Sequence, residues 1–585
     1  MKLLIITIVF SLLIVGCNNS NMKNNTENSD DLKEQEKNYE PAFGGEISLP
    51  IDYIKTLNPL LNKSESLYNF YKLVYEGLFE FNEEQDLYNK LAQDYEITND
   101  GRTINIKLRE NVKWHDGEKF SAEDVKFTIN FLKYASNNST YKKYLNQVFK
   151  PLNTNDIEHI FHITVIDEHN ITIDFDRSYS SALESLVFPI IPKHQFEANS
   201  KRESYQKVVN IKEDFKPIGT GPYKFIEYNK LKDIKLKSND VWWGGSPYID
   251  SVVGKIVEDK KLAITAFDSR KIDVTKSIGV DWEKFADNKD TKIYEYVTPN
   301  YEFLAFNFTN NLFSGEEGKI IRKAIAYGVD IQSIIEKVYL GHATESDLPI
   351  MYNSWLLNDE GDMYGYNKDK AKEILKEAGF KDSDGNGILE SPSGKTLSFK
   401  LLTNSYNPLR RETANLIIDN LKEIGISIEA DFKQQVKGNP SEEAIEKDWQ
   451  KVIDKTKRGN FDIVLIGWEL SKVPDLSFAF HSREGQNNFI NYENKKLDNL
   501  LVDAFRANTR DEKKKIYDEI QKVLFEDLPY VGLFFRNNGV LVDRRIMGDI
   551  NPHSFNLYNN IDKWFIPKEL QNNSTDDEES NTDNN

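Results

Sequence analysis

Phe461-Asp462-Ile463-Val464-Leu465-Ile466-Gly467-Trp468 narrows the folds open to this chain more than any other stretch, because it is apolar almost without interruption. A strand with one face in water alternates, whereas a run like this needs cover on both faces. The surrounding sequence supplies that cover. Residues 249–257 and 303–308 read as strands, and residues 260–267, 317–327 and 331–339 as helices, with Asp330 placed to cap the last. Asn367 starts a further helix whose Ala371, Ile374, Leu375 and Ala378 share one face before Gly379 stops it, and residues 411–425 and 426–430 read as helix then strand. Such alternation predicts an α/β fold. Ligands of open α/β sheets sit beyond the carboxyl ends of the strands, so Trp468 and residues 469–477 are candidate pocket elements, the other reading being that Trp468 closes the core.

The chain's 585 residues exceed one ordinary core and predict at least two lobes. A surplus of 94 acidic over 75 basic residues, formally -19, repels phosphate backbones and argues against nucleic acid as a partner. With a single cysteine, Cys17, no intramolecular disulfide and no cysteine-based metal site can form. The eight histidines show no His-Glu-x-x-His spacing, and no cofactor is expected. Asp382, Asp384, Asn386 and Glu390 present oxygens much as an EF-hand loop does, with Gly387 sixth, but Ser393 stands where the bidentate Glu belongs. The loop reads as a solvated turn, with calcium as the alternative. Ser393-Gly394-Lys395-Thr396 mimics the end of a P-loop, yet Leu389 replaces its first glycine.

Lys2 followed by apolar residues 3–15 is too short for a membrane span of about 20 residues and reads as an export signal. Residues 18–43 are polar enough to be a flexible tether, and residues 571–585 read as a disordered acidic tail.

Residues 95–108 alternate around Asn99-Asp100-Gly101 as a hairpin. After the turn at Asp116-Gly117, Ser121 is placed to cap the amide three residues on while Asp124 reaches back, a capping box opening a helix with Val125, Ile129 and Leu132 on one face. Residues 68–81 look helical, and residues 223–236 read as one alternating strand. Gly219-Thr220-Gly221 has no helix after it to receive a phosphate. Residues 497–524 form a helical pair, and residues 530–535 and 540–542 a strand pair turning at Asn537-Asn538-Gly539.

Several of these strings, in this order, resemble the extracytoplasmic solute-binding proteins (family 5) of oligopeptide and dipeptide ABC importers. They are Leu57-Asn58-Pro59, Tyr75-Glu76-Gly77-Leu78, the stretch from Arg109 through Trp114-His115-Asp116-Gly117 to Val125, Gly219-Thr220-Gly221-Pro222-Tyr223 and Gly467-Trp468. Ile14-Val15-Gly16-Cys17 resembles a lipobox, where bacterial lipoproteins are acylated on the thiol. The resemblance covers roughly residues 44–545. It implies a two-lobed, type II periplasmic-binding-protein-like fold with an additional inserted subdomain. Residues 1–17 would be signal and lipobox; 44–66, 196–300 and 531–570 lobe I; 67–195 the insertion; and 301–530 lobe II.

It further implies a receptor rather than an enzyme, a monomer lipid-anchored through Cys17 at the outer face of the bacterial cytoplasmic membrane. Hinge closure would trap peptides and deliver them to the permease of an ABC importer. The alternatives are a binder of an oligosaccharide or metal chelate on the same fold, or a surface hydrolase, for which Gly-x-Ser-x-Gly and zinc motifs are lacking. The best-known relatives place an Asp three residues after the Trp of Gly-Trp, where this chain has Ser471, and a basic residue just before it, where this chain has Leu465 and Ile466. Glu469, or else Asp475, is therefore expected to pair with the peptide amine while Trp468 packs on the ligand. Tyr144, Tyr301 and Arg536 complete the ligand-binding candidates.

Overall fold

The structure, a computed structural model, describes residues 39–134, 159–178, 180–211, 215–257, 259–358, 364–483 and 487–571. Cys17, the export signal, most of the tether, Tyr144 and nearly all of the acidic tail lie outside them. The fold is α/β and two-lobed with an inserted subdomain, as the sequence suggests. Among the described residues no helix is long and apolar enough to cross a membrane.

In chain order, β1 (Glu46–Ile51) comes first, then the short helix α1 (Glu65–Tyr71), which Ser64 caps by accepting from the Leu67 amide. There follow β2 (Ala92–Thr98), β3 (Thr103–Leu108), the helix α2 (Ala122–Tyr134), β4 (Ile160–Val165) and β5 (Asn170–Phe175), whose strands make a sheet of their own. That antiparallel sheet has the order β2-β3-β5-β4. The chain then returns through β6 (Tyr223–Asn229), β7 (Asp233–Ser238) and β8 (Ser251–Ile256), giving the sheet β1-β8-β7-β6 in which β1 and β8 run parallel.

Next come β9 (Val274–Ile278), the long β10 (Thr291–Phe306), the helices α3 (Gly315–Gly328) and α4 (Ile331–Tyr339), and β11 (Ala343–Glu345). They are followed by β12 (Ser398–Leu402), the helix α5 (Pro408–Glu423), β13 (Ser427–Asp431), β14 (Ile463–Glu469) and the long β15 (Tyr530–Asp543). All seven strands form one sheet, β9-β15-β10-β14-β12-β13, with β11 also on β15. β10 and β15 pair from Thr291 with Asp543 to Ala305 with Tyr530, so two continuous strands run the length of the sheet. Their register breaks between Val297 and Tyr301 and again between Glu302 and Phe303.

The apolar run of residues 461–468 is covered on both faces, as expected. Val464 and Ile466 join one apolar cluster, with Phe303 and Ala305 of β10, while Ile463 and Leu465 join another, with Leu304 and Phe306. The second cluster packs against Ile321 and Ile325 of α3, Ile334 of α4 and Leu421 of α5. Each such side chain, taken fully out of water, is worth about 1.5–3 kcal/mol, so this strand ties the sheet to both layers.

Four local expectations give way to tertiary contacts. Residues 68–81 are not one helix: α1 ends at Tyr71, and Gly77 is drawn into a bridge with Pro189, where an added Cβ would meet the Phe188 carbonyl at 2.8 Å. Residues 223–236 fold back into β6 and β7, with Leu231 in the left-handed region between them. Asn537-Asn538-Gly539 does not turn, because Asn538 is paired with both Ile278 and Tyr296, and strands on both sides hold the backbone extended. Gly539 is needed instead for the Trp282 ring, which a Cβ there would meet at 2.5 Å. The capping box at α2 is half formed. Asp124 reaches back to the Ser121 amide at 2.9 Å, but the Ser121 hydroxyl donates to the same carboxylate rather than capping the helix.

Gly219 and Gly221 serve close approach, not phosphate. A Cβ on Gly219 would lie 1.7 Å from the Val74 carbonyl oxygen, and the Gly221 amide donates to that oxygen at 2.9 Å. His115 braces the loop, accepting from the Gly219 amide at Nδ1 (3.2 Å) and bonding the Gly221 carbonyl through Nε2 (3.0 Å). That arrangement requires neutral imidazole, and burial pushes its pKa down to about 4.

Candidate functional site

A cleft of about 320 Å³ opens beside the register break in β10. Its walls come from α1, β9, the loop after α4, the carboxyl end of β14 and the middle of β15. Strand pairing explains why it lies there. β12 pairs with β14 only at Ile463 and Val464, and Thr403 Oγ1 donates to the Leu465 carbonyl. Beyond that, from Ile466 to Glu469, this edge of β14 has no strand beside it among the described residues. A bare edge of this kind can accept an extended chain through backbone hydrogen bonds.

Charges of both signs face the cleft, and most are engaged. Lys276 Nζ lies 2.8 Å from Glu65 Oε1, and Lys472 Nζ sits 3.8 Å over the Tyr68 ring. Burial lowers the pKa of the Lys472 ammonium. His342 bonds Glu283 through Nε2 at 2.6 Å. Two charged side chains lining the cleft make no hydrogen bond among the described residues. Glu469, opposite Asn300 in the ladder, is exposed, and its carboxylate has no hydrogen bond or ion pair among the described residues. Arg536 has its Nε buried 3.5 Å from Glu302 Oε1 and forms no hydrogen bond there, and its Nη atoms have no hydrogen bond among the described residues.

Glu302 stands 3.5 Å from Arg536 Nε, behind the cleft lining. It is 2% exposed and is held by Arg410, Nε to Oε2 at 2.8 Å and Nη2 to Oε1 at 3.0 Å. Sequence reasoning missed both residues. The signal was present: a lone carboxylate directly before Phe303-Leu304-Ala305-Phe306 is a charge in a buried strand, and such a charge requires a partner.

The other sequence candidates are scattered. Tyr301 is fully buried, with its hydroxyl donating to the Asp347 carbonyl at 2.9 Å and its ring stacked 5.6 Å from Phe303. The ladder turns it into the core, away from the cleft surface. Trp468 is half-buried and lies outside the cleft lining, stacked on Phe303 at 6.0 Å and edge-on to Phe478 at 5.4 Å. Asp475 lines a separate small crevice with Met351 and Tyr517, and its Oδ1 accepts from the Ser477 amide at 2.9 Å, which shapes the loop. Of the named candidates, Glu469 and Arg536 are brought together.

The Asp382 loop turns its oxygens inward. Asp382 accepts from the amides of Gly385, Asn386 and Gly387, and Glu390 from that of Ser383. Asp384 and Asn386 bond one another. Among the described residues no group of three or more His, Cys, Asp or Glu is arranged to hold a metal ion.

Comparison with known proteins adds a second line of argument. The family model described as bacterial extracellular solute-binding proteins, family 5 middle, matches residues 86–489. The oligopeptide-binding protein AppA of Bacillus subtilis is 28% identical over 578 residues, covering 97% of this chain and 99% of its own. Its solved structure, in complex with a nonapeptide, is 26% identical with a TM-score of 0.58, covering 90% of this chain and all of that one. NikZ from Campylobacter jejuni, solved in complex with Ni(L-His), is 26% identical with a TM-score of 0.61, covering 90% of this chain and 99% of that one.

Proposed function

The chain belongs to the bacterial extracellular solute-binding proteins of family 5, and on that premise we propose that it captures peptides in the cleft and delivers them to the permease of an ABC importer. One observation carries this reading. The cleft joins a bare strand edge to two opposite charges that make no hydrogen bond among the described residues, Glu469 on β14 and Arg536 on β15, on either side of β10. Two strand spacings separate their backbones, roughly 9.5 Å, about the reach of three extended residues. A peptide of any sequence offers what such a site can hold: an amine, a carboxylate and backbone N–H and C=O groups. In this reading Glu469 takes the amine and Arg536 the carboxylate, while side chains project into wetter surroundings where water adapts the contacts. AppA, solved with a nonapeptide, supports it.

In this reading the lobes divide near residues 300 and 530 and close around the ligand because it touches both. Scattering should report a smaller radius at saturating peptide. The mature protein is a monomer, acylated on Cys17 and held at the outer face of the cytoplasmic membrane, so Cys17→Ala should be released or left unprocessed on fractionation.

Native mass spectrometry of the purified protein, followed by titration with a peptide mixture, tests the central reading. Intact peptides retained at stoichiometric amounts support it. Cleaved peptides would indicate a hydrolase. Retention of a nickel–histidine chelate without peptide would move the assignment to the ligand class seen with NikZ.

A further inference from the structure

Outside the cleft, a tight turn over residues 82–86 is gripped by three remote segments of the chain. The Asn82 amide donates to the Asp86 carbonyl at 2.8 Å and the Gln85 amide to the Asn82 carbonyl at 3.2 Å, which closes the turn. At its tip Gln85 is 3% exposed and has a φ of +61°, in the left-handed region that a residue other than glycine holds only where its surroundings fix it. They do so here. Gln85 Nε2 donates to the Lys472 carbonyl at 3.0 Å and the Ser471 carbonyl at 3.2 Å, 387 and 386 positions along the chain. The Glu84 carbonyl accepts from the Trp355 amide at 3.0 Å, and Asp86 pairs with Arg510, whose guanidinium lies 3.9 Å over the Trp355 ring.

Glu469 and Lys472 line the cleft, whereas no residue of the turn does. The grip therefore reaches the segment that carries Glu469 without entering the space a ligand fills. In the lobe division proposed above, the turn lies before residue 300 and its three holders lie between 300 and 530. A buried bond from Lys513 Nζ to Ser181 Oγ, at 3.0 Å, crosses the same divide. We propose that the turn of residues 82–86 is a latch, which stabilises the closed lobes through Gln85 whatever the cleft holds. Apparent affinity scales with the fraction of chain in the binding-competent arrangement, so the latch sets the affinity of every ligand by one common factor. The inference rests on the peptide reading and the lobe division stated with it, and adds a control on closure that does not pass through the ligand.

Gln85→Asn suits the left-handed backbone but is one methylene shorter, so it cannot bridge both carbonyls. Arg510→Gln loosens the turn at a second point, and either variant reports if the other fails to fold. Calorimetric titration of the full chain with two tripeptides of unrelated sequence, one of them also N-acetylated, is paired with scattering with and without saturating peptide. Each variant should bind both tripeptides weaker by the same factor, up to about tenfold for about one forfeited hydrogen bond. Each should keep the wild-type preference for the free amine and compact to the wild-type radius at saturation. Unchanged affinity in both variants, or a loss that differs between the two tripeptides, overturns the latch and leaves the peptide reading intact. A wild type that binds no peptide overturns the peptide reading instead. The latch is then read from scattering without ligand, where the variants should have a larger radius than wild type and equal radii overturn it.

Discussion

Arg410 closes on Glu302 with two parallel hydrogen bonds, so that a carboxylate 2% exposed in the middle of a strand has a partner for each oxygen. Burial by itself would lower the pKa of the Arg410 guanidinium, but Glu302 outweighs it and raises the pKa. Gly467 makes the approach possible, since a Cβ opposite Glu302 would meet Arg410 Nη2 at 2.8 Å. With Arg536 also 3.5 Å away, two guanidinium groups face one carboxylate.

Removing one partner of a buried pair leaves the other charge stranded. Glu302→Gln should therefore cost about 3 to 5 kcal/mol of stability in urea denaturation. Adding Arg410→Met to it should recover much of that loss, because the stranded guanidinium is then gone. A double variant no more stable than the single one would count against the pair as the cause.

Glu469 and Asp475 should separate cleanly. Neutralising Glu469 as Gln should abolish the preference for a free-amine peptide over its N-acetylated form, a loss toward the roughly 2 to 5 kcal/mol of an enclosed charge pair rather than the roughly 0 to 1 of an exposed one. Asp475→Ala removes the hydrogen bond to the Ser477 amide, which should lower stability by about 1 kcal/mol with the preference intact. Paired titrations of the two peptide forms decide between them.

Stability should fall as the pH drops from about 6.5 toward 4. Burial holds His115 and His553 down at about 4, against an unfolded value near 6.5. Above 6.5 both states are neutral and their contribution is complete. Between the two values only the unfolded chain takes up protons, costing up to about 3 kcal/mol per residue. Asp347, pushed up to about 6 by burial, acts in the opposite sense below pH 6. Thermal melts of His115→Gln and His553→Gln across this range isolate the effect, since each should flatten the slope.

Two glycines of the family-like motifs should differ sharply when changed to alanine. At Gly219 a Cβ would stand 1.7 Å from the Val74 carbonyl oxygen, so the backbone must move and the loss should exceed about 3 kcal/mol. At Gly117 nothing lies within 4 Å, but φ is +97°, so only backbone strain is incurred, about 1 kcal/mol. Urea midpoints of the two variants measure the difference.

Local chemistry was readable from the residues alone. The helix started by Asp330 caps through the Ser333 amide, the one started by Asn367 through the Lys370 amide, and the hairpin at Asn99-Asp100-Gly101 turns with all three residues at positive φ. The continuous apolar strand also announced its two covered faces, since hydrophobic burial needs only the presence of apolar neighbours and not their identity. What the sequence left open depended on which distant residue arrives. Asn538 is extended because Ile278 and Tyr296 flank it, whatever turn propensity Asn-Gly carries. Tyr301 faces the core because the ladder sets its side, and one step of register would have reversed it. Glu302 finds Arg410 108 positions away, and one cavity is lined by Tyr68 of α1 together with Trp242 and His553 from remote parts of the chain. Propensity and capping act over a few residues and are written locally, whereas a charge pair or a cleft is a meeting of remote segments, and only the folded chain decides which segments meet.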